Sequence, residues 1–183
     1  SIICFKSSNT RSVLSNIGSI TSIFTNPDVS RQVCILFSLA LINSSFKNRK
    51  VELLVDSNDM YSLEDTIGFL SGIGDISLFW VEEPFREEIN AGQKLRTWMN
   101  KNGFEKTYYA DGEANPDFDV CLQLGKEQIM NVFLPDTYGY GFSEWIKLMT
   151  TLKQINMLSS PHAWGDRLKT NYTTHLSAGL GNV

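Results

Sequence analysis

The sequence has little of what marks several common classes of protein. Its 183 residues include only three cysteines, far apart and without a CxxC pair, so neither a disulfide framework nor a cysteine zinc site is indicated. There is no long basic stripe, and 16 Lys and Arg are outnumbered by 20 Asp and Glu, which argues against nucleic acid or an anionic membrane as a partner. The longest apolar run, residues 33–42, is about half as long as a membrane-spanning helix. These absences predict a cytoplasmic protein in a reducing compartment.

The first 50 residues differ in character from the rest of the chain. They contain six basic residues and one acid, a net charge of +5, whereas residues 51–183 contain ten and nineteen, a net charge of −9. They are also rich in Ser, Thr and Asn and show no clean helical or strand period before Val33. We therefore predict a leader of uncertain structure over 1–50 and a folded domain over 51–183. A poorly patterned part of the domain, a transit peptide and misread coding sequence are three interpretations of the leader.

From Val51 onward, short apolar runs alternate with stretches of helical length, which predicts an α/β fold. Two of the helical stretches are 63–70, where Ser62 is an expected N-cap, and 142–152, which carries a stripe of apolar residues. The predicted strands are 51–55, 76–81, 107–110, 129–134 and 155–158. This order is typical of parallel strands with helices outside.

Polar side chains stand at or just beyond the ends of the apolar runs. They are Asp56, Glu82, Glu113, Asp136 and His162, spaced 26, 31, 23 and 26 residues apart. One βα unit has about that length, so a parallel sheet would bring all five to one edge. Three converging carboxylates repel unless a cation lies between them, and hard oxygen ligands favour Mg²⁺. Any single acid after a strand is also often a helix N-cap or a turn former.

At this point the motifs resemble those of a known family. The ordered set is Leu54-Val-Asp-Ser-Asn58, Phe79-Trp-Val-Glu-Glu-Pro-Phe85, Ala110-Asp-Gly-Glu113, Asp136, Ser160-Pro-His-Ala-Trp-Gly165 and His175-Leu-Ser-Ala178. It is similar to the enolase superfamily, within it to the mandelate racemase and muconate lactonizing group, and there to the sugar-acid dehydratases. The resemblance covers roughly residues 51–180 and rests on the order of the set.

The resemblance implies a partial (β/α) barrel and a Mg²⁺-dependent lyase. Asp56, Glu82 and Glu113 would bind the metal, and Asp136 with His162 would transfer the proton. Asn58 and His162 would contact the substrate, a small hydroxylated carboxylate such as a sugar acid. The expected reaction removes the proton next to the carboxylate, stabilises the enediolate and eliminates water. A homo-oligomer is one assembly that the resemblance implies.

Departures from the family pattern support a second interpretation. The family's Lys-x-Lys strand would fall near residues 22–26, where no lysine pair occurs, and Lys6 does not have a matching context. The capping domain and the last barrel strand are also expected to be missing, so that the chain would be truncated at both ends. The alternative is therefore a non-catalytic remnant that acts as a binding or interaction module. An unrelated Mg²⁺ hydrolase would explain the acids, but not Asp136 and His162 in that order.

Overall fold

The computed structural model describes residues 2–6, 52–74, 76–113, 115–163, 165 and 167–180, with the backbone alone for 2–6 and for 180. Most of the predicted leader, including the apolar run 33–42 and the expected lysine position at 22–26, lies outside these residues. None of the helices in the described ranges is long and apolar enough to cross a membrane.

Six parallel strands form one sheet in sequence order, β1-β2-β3-β4-β5-β6. Their bounds are Ile2–Lys6, Glu52–Asp56, Trp80–Glu82, Tyr108–Asp111, Val132–Phe133 and Leu158–Ser159. The order confirms the predicted α/β class, because parallel neighbours need a crossover connection between each pair. All five predicted strands occur, shifted or shortened at their ends.

Helices follow the strands along the chain. Within the described residues they are α1 (Leu63–Gly72), α2 (Ile89–Lys101), α3 (Phe118–Lys126), α4 (Thr137–Tyr140), α5 (Phe142–Gln154) and α6 (Arg167–Leu180). The expected N-cap is present, since the Ser62 hydroxyl accepts from the Asp65 backbone N–H at 3.1 Å while the Asp65 carboxylate accepts from the Ser62 N–H. This reciprocal capping box satisfies two backbone donors that a helix start otherwise leaves open.

Strand alternation gives the sheet two different faces. Successive side chains of a strand point to opposite sides, so Leu53 and Val55 of β2 pack with the helices while Asp56 shares the other side with Leu54. On that other side, a cluster of Ala110, Val132 and Leu134 forms a small apolar layer. The face of the sheet that the helices cover therefore carries the larger hydrophobic cluster, and the other face carries a small one.

Strand β1 differs from the prediction, which places residues 1–50 in a leader of uncertain structure. It pairs with β2 in parallel register, Ile2 with Glu52 through Lys6 with Asp56. Residues 2–6 thus extend the sheet by one strand, and Lys6 is the backbone neighbour of the first predicted metal ligand.

Candidate active site

The five predicted site residues lie at one edge of the sheet, at or just beyond the carboxyl ends of the strands. Asp56 ends β2 and Glu82 ends β3, and the two are in register. Glu113 follows β4 by two residues, Asp136 follows β5 as the N-cap of α4, and His162 pairs with Asp136 in an isolated parallel bridge. Parallel strands end at a common edge, which brings together residues up to about a hundred positions apart in sequence.

Asp56 and Glu82 are carboxylates held on the thinly covered face of the sheet. Their exposed fractions are 1% and 7%. Trp80, two residues before Glu82 on the same face, donates its indole N–H to Glu82 Oε2 at 2.9 Å. Asn58 donates both its backbone N–H and its side-chain amide to Asp56 Oδ1, at 2.9 and 2.5 Å. The amide predicted to meet the substrate is therefore engaged with Asp56, a contact that orients this carboxylate.

The carboxyl group of Glu82 is strongly perturbed. Burial, a hydrogen bond with Glu113 and the charge of Asp56 raise the pKa of Glu82 to about 9. A carboxyl group in this environment keeps a proton at neutral pH, because ionisation would add a further negative charge next to two other acids. A cation placed among these groups would remove the cause of that shift.

Glu83 is a supporting residue that belongs to the motif Phe79-Trp-Val-Glu-Glu-Pro-Phe85, and the motif alone assigns it no role. Its backbone lies in the left-handed region, at φ 40°, which is unusual for a residue other than glycine. This turn lets Glu83 Oε1 accept a hydrogen bond from the Glu113 backbone N–H at 3.1 Å. Burial and then the charge of Glu113 raise the pKa of Glu83 to about 7. Adjacent glutamates thus serve different purposes, one facing the site and the other fixing the loop after β4.

His162 connects the acids to Asp136. Its Nδ1 lies 3.0 Å from Asp136 Oδ2 and its Nε2 lies 3.4 Å from Glu113 Oε2. In the neutral tautomer with its hydrogen on Nδ1, the ring donates to the Asp136 carboxylate, and the Nε2 lone pair is then directed to Glu113. The ring is 22% exposed, so it can be reached from the strand-end edge.

Asp136 is held as an anion by several donors. Partial burial works to raise its pKa, but hydrogen bonds from Lys169, the Tyr138 backbone N–H and His162 together hold it below the ordinary value. The two backbone donors to Oδ1 are Tyr138 at 2.7 Å and Gly139 at 3.4 Å. Asp136 is therefore both the N-cap of α4 and the partner of the histidine.

Lys169 is a buried neighbour of Asp136 that the sequence does not reveal. It comes from α6, its side chain is 4% exposed, and its Nζ lies 2.5 Å from Asp136 Oδ2. The same ammonium lies 5.1 Å from the centroid of the Tyr138 ring, within cation–π range. A lysine in a polar helical stretch such as Arg167-Leu-Lys-Thr170 carries no sequence signal of burial.

The donor set suits a hard divalent cation, but it is not arranged as a finished site. Within the described ranges no group of three or more His, Cys, Asp or Glu side chains is placed to hold a metal ion. The chemistry nevertheless fits, since Asp56, Glu82 and Glu113 supply only carboxylate oxygens, which Mg²⁺ prefers, and one of them retains a proton that a cation would displace. A cavity of about 250 Å³ lies elsewhere, near Ile76 and residues 102–107 at the opposite edge of the sheet.

Comparisons with known proteins agree with this architecture. The model of a family described as enolase C-terminal domain-like matches residues 38–183, beginning before the predicted domain start at Val51. The comparison with curated proteins found no match.

Among solved structures, galacturonate dehydratase from Geobacillus sp., complexed with D-galacturonate and 5-keto-4-deoxy-D-galacturonate, is 27% identical over 73% of this chain and 35% of its own, with a TM-score of 0.68. The E234A mutant of galacturonate dehydratase from Geobacillus sp., complexed with Mg, is 23% identical over 86% of this chain and 40% of its own, with a TM-score of 0.78. A mandelate racemase/muconate lactonizing protein from Geobacillus sp. Y412MC10, complexed with magnesium/tartrate, is 25% identical over 84% of this chain and 38% of its own, with a TM-score of 0.74. The matched part of the chain thus covers 35–40% of the length of these proteins.

Proposed function

Because the chain belongs to the enolase C-terminal domain-like family, we propose that it performs proton transfer next to a carboxylate and, by that route, dehydrates a hydroxylated sugar acid. The observation that carries the proposal is the position of His162. One of its ring nitrogens contacts Asp136 at 3.0 Å and the other contacts Glu113 at 3.4 Å. Asp136 orients the imidazole ring through Nδ1, and Nε2 faces the acid cluster. This arrangement is suited to general acid–base catalysis.

Asp56, Glu82 and Glu113 would hold Mg²⁺ in this proposal. When bound, the ion would supply positive charge to stabilise the negative charge that develops on the substrate carboxylate as the neighbouring proton leaves. The acids are supported by their neighbours: Trp80 and Asn58 donate hydrogen bonds to Glu82 and Asp56. These contacts limit the rotation of the side chains and reduce the reorganisation needed for binding.

The protein's own residues divide the proton transfer between them. His162 Nε2 accepts the proton from the carbon next to the substrate carboxylate, and Asp136 stabilises the imidazolium that forms. The same protonated ring then donates to the departing β-hydroxyl, which leaves as water. Asn58, beside Asp56, would have to exchange its present contact for one with the substrate if it binds it directly.

The test measures exchange of the hydrogen next to the carboxylate. The full chain is incubated with Mg²⁺ and D-galacturonate, and then with a panel of other sugar acids, in D₂O, and the loss of that hydrogen and the appearance of a keto-deoxy product are followed by NMR. We expect His162→Asn to abolish both reactions. His175→Asn, which changes the exposed histidine of α6, is the matched control and should retain them. Mg²⁺ binding without exchange on any acid would favour the binding-module alternative.

A further inference from the structure

Lys169 is a buried charge to which the proposed reaction assigns no task. The residue is 3% exposed, and its ammonium shares one oxygen, Asp136 Oδ2, with His162 Nδ1 at distances of 2.5 and 3.0 Å. Burying an ammonium group is unfavourable unless it is paired. The pairing therefore explains how the lysine is tolerated, but not why α6 directs a charged side chain to this carboxylate.

The contacts of Asp136 indicate what the lysine does. Oδ1 accepts from the backbone N–H groups of Tyr138 and Gly139, and Oδ2 accepts from Lys169 and His162. With these donors in place, both oxygens of the carboxylate are fixed and one acceptor direction of Oδ2 meets the histidine. This acceptor favours the tautomer with the ring hydrogen on Nδ1, which directs the Nε2 lone pair toward Glu113.

We propose that Lys169 is a positioning residue for the histidine: it fixes Asp136, and through Asp136 it fixes the tautomer and orientation of His162. The expected effect on kcat rests on the proposed function, whereas the expected effect on the tautomer of His162 does not. The effect of Lys169 on the histidine is indirect. Its side chain is buried, and its Nζ lies 5.1 Å from the centroid of the Tyr138 ring. It does not contact the substrate in this assignment.

A purely structural role for Lys169 would be to anchor α6. The helix has a second buried anchor one turn later, where Thr173, 5% exposed, meets the Thr137 hydroxyl at 3.2 Å. Thr173→Val removes this contact without changing the donors to Asp136. It is therefore a matched control for loosening α6 alone.

The first experiment reads the tautomer directly. The chain has two histidines, so long-range ¹H–¹⁵N correlation spectra of the full chain contain two imidazole systems, and His175→Asn assigns them. At pH 8.5 we expect His162 to show one protonated Nδ1 and one lone-pair Nε2. Lys169→Met should convert this pattern to an average of the two tautomers, whereas Lys169→Arg and Thr173→Val should preserve it. An unchanged pattern in Lys169→Met would overturn the proposal.

The second experiment separates positioning from anchoring by kinetics. We expect Lys169→Met to lower kcat by about 10- to 100-fold, the usual effect of losing such a supporting contact, with KM unchanged. Lys169→Arg should recover most of the loss, and Thr173→Val should leave kcat as it is. Equal losses of kcat in Lys169→Met and Thr173→Val would assign Lys169 to anchoring.

If the Met variant does not fold, Lys169→Ala takes its place in both experiments, since it also removes the donor to Asp136. If the unaltered chain has no activity on any acid, the proposed function fails. The tautomer spectra still decide the role of Lys169 in that case.

Discussion

Raising the pH in the absence of divalent cations should destabilise the protein through Glu82. Burial, the hydrogen bond with Glu113 and the charge of Asp56 raise the pKa of Glu82 to about 9, against an ordinary pKa of 4.5 for a glutamate carboxyl group. The unfolded chain therefore loses this proton at a lower pH than the folded chain. Stability from a raised pKa is fully present below the unfolded value and is lost as the pH rises toward the folded value.

The size of the effect follows from the two pKa values. Over most of this range unfolding releases about one proton, which corresponds to about 1.4 kcal/mol per pH unit. Between pH 5 and pH 8 the loss attributable to Glu82 should therefore reach about 4 kcal/mol. Other perturbed acids contribute in the same direction, such as Glu83, whose pKa burial raises to about 7, so a comparison with a variant is needed to isolate Glu82.

Urea unfolding in the presence of a chelator, followed by tryptophan fluorescence at several pH values, measures this difference. Glu82→Gln keeps an acceptor for the Trp80 indole and a donor for Glu113, but it cannot ionise, so its stability should fall less steeply with pH. Glu105→Gln, an exposed change, should retain the wild-type dependence. Parallel curves for wild type and Glu82→Gln would refute the assignment of Glu82 to a crowded acid cluster.

Three substitutions test other parts of the account by the same unfolding assay. Gly112→Ala should lower the free energy of unfolding by about 2–4 kcal/mol, because φ is +105° and the new Cβ would lie 2.3 Å from a phenylalanine ring of β5. The control is Gly139→Ala, which should leave the stability unchanged because no atom lies within 4 Å of its new Cβ. Arg96→Met should lower the free energy of unfolding by about 2–4 kcal/mol, because it removes the donors to two backbone carbonyls and an asparagine side chain. Lys94→Met, an exposed change on the same helix, should leave the stability nearly unchanged. Ser62→Ala should cost about 1 kcal/mol through loss of the capping box.

The fold class could be predicted because its signal is local. Runs such as 51–55 and 107–110 have the length and apolar content of buried parallel strands, and the family match confirms the enolase resemblance drawn from the ordered motifs. The common edge of Asp56 and Glu82 also follows from the pattern, since each residue ends a strand and neighbouring parallel strands share their register.

Other features depend on contacts between distant parts of the chain. Strand β1 contains the apolar run Ile2-Ile-Cys-Phe5, but this run lies apart from the regular alternation that begins at Val51, and its place in the sheet follows from its pairing with β2. Glu83 lies next to Glu82 in sequence, yet a left-handed turn gives it a different partner. Lys169 is in a polar helix, and its burial follows from the packing of α6 against the loop that carries Asp136. Tertiary contacts of this kind leave no periodicity in the sequence.

The central claim is that Asp56, Glu82 and Glu113 form one cation site beside the base His162. Calorimetric titration of Mg²⁺ into the metal-free full chain at pH 7.5, repeated in buffers of different ionisation enthalpy, tests it most directly. We predict a single site whose occupation releases a proton, because Glu82 holds one before binding. Binding should be lost in both Asp56→Asn and Glu113→Gln and unchanged in Glu105→Gln. Absence of Mg²⁺ binding, or binding that persists in both of the first two variants, would contradict the account.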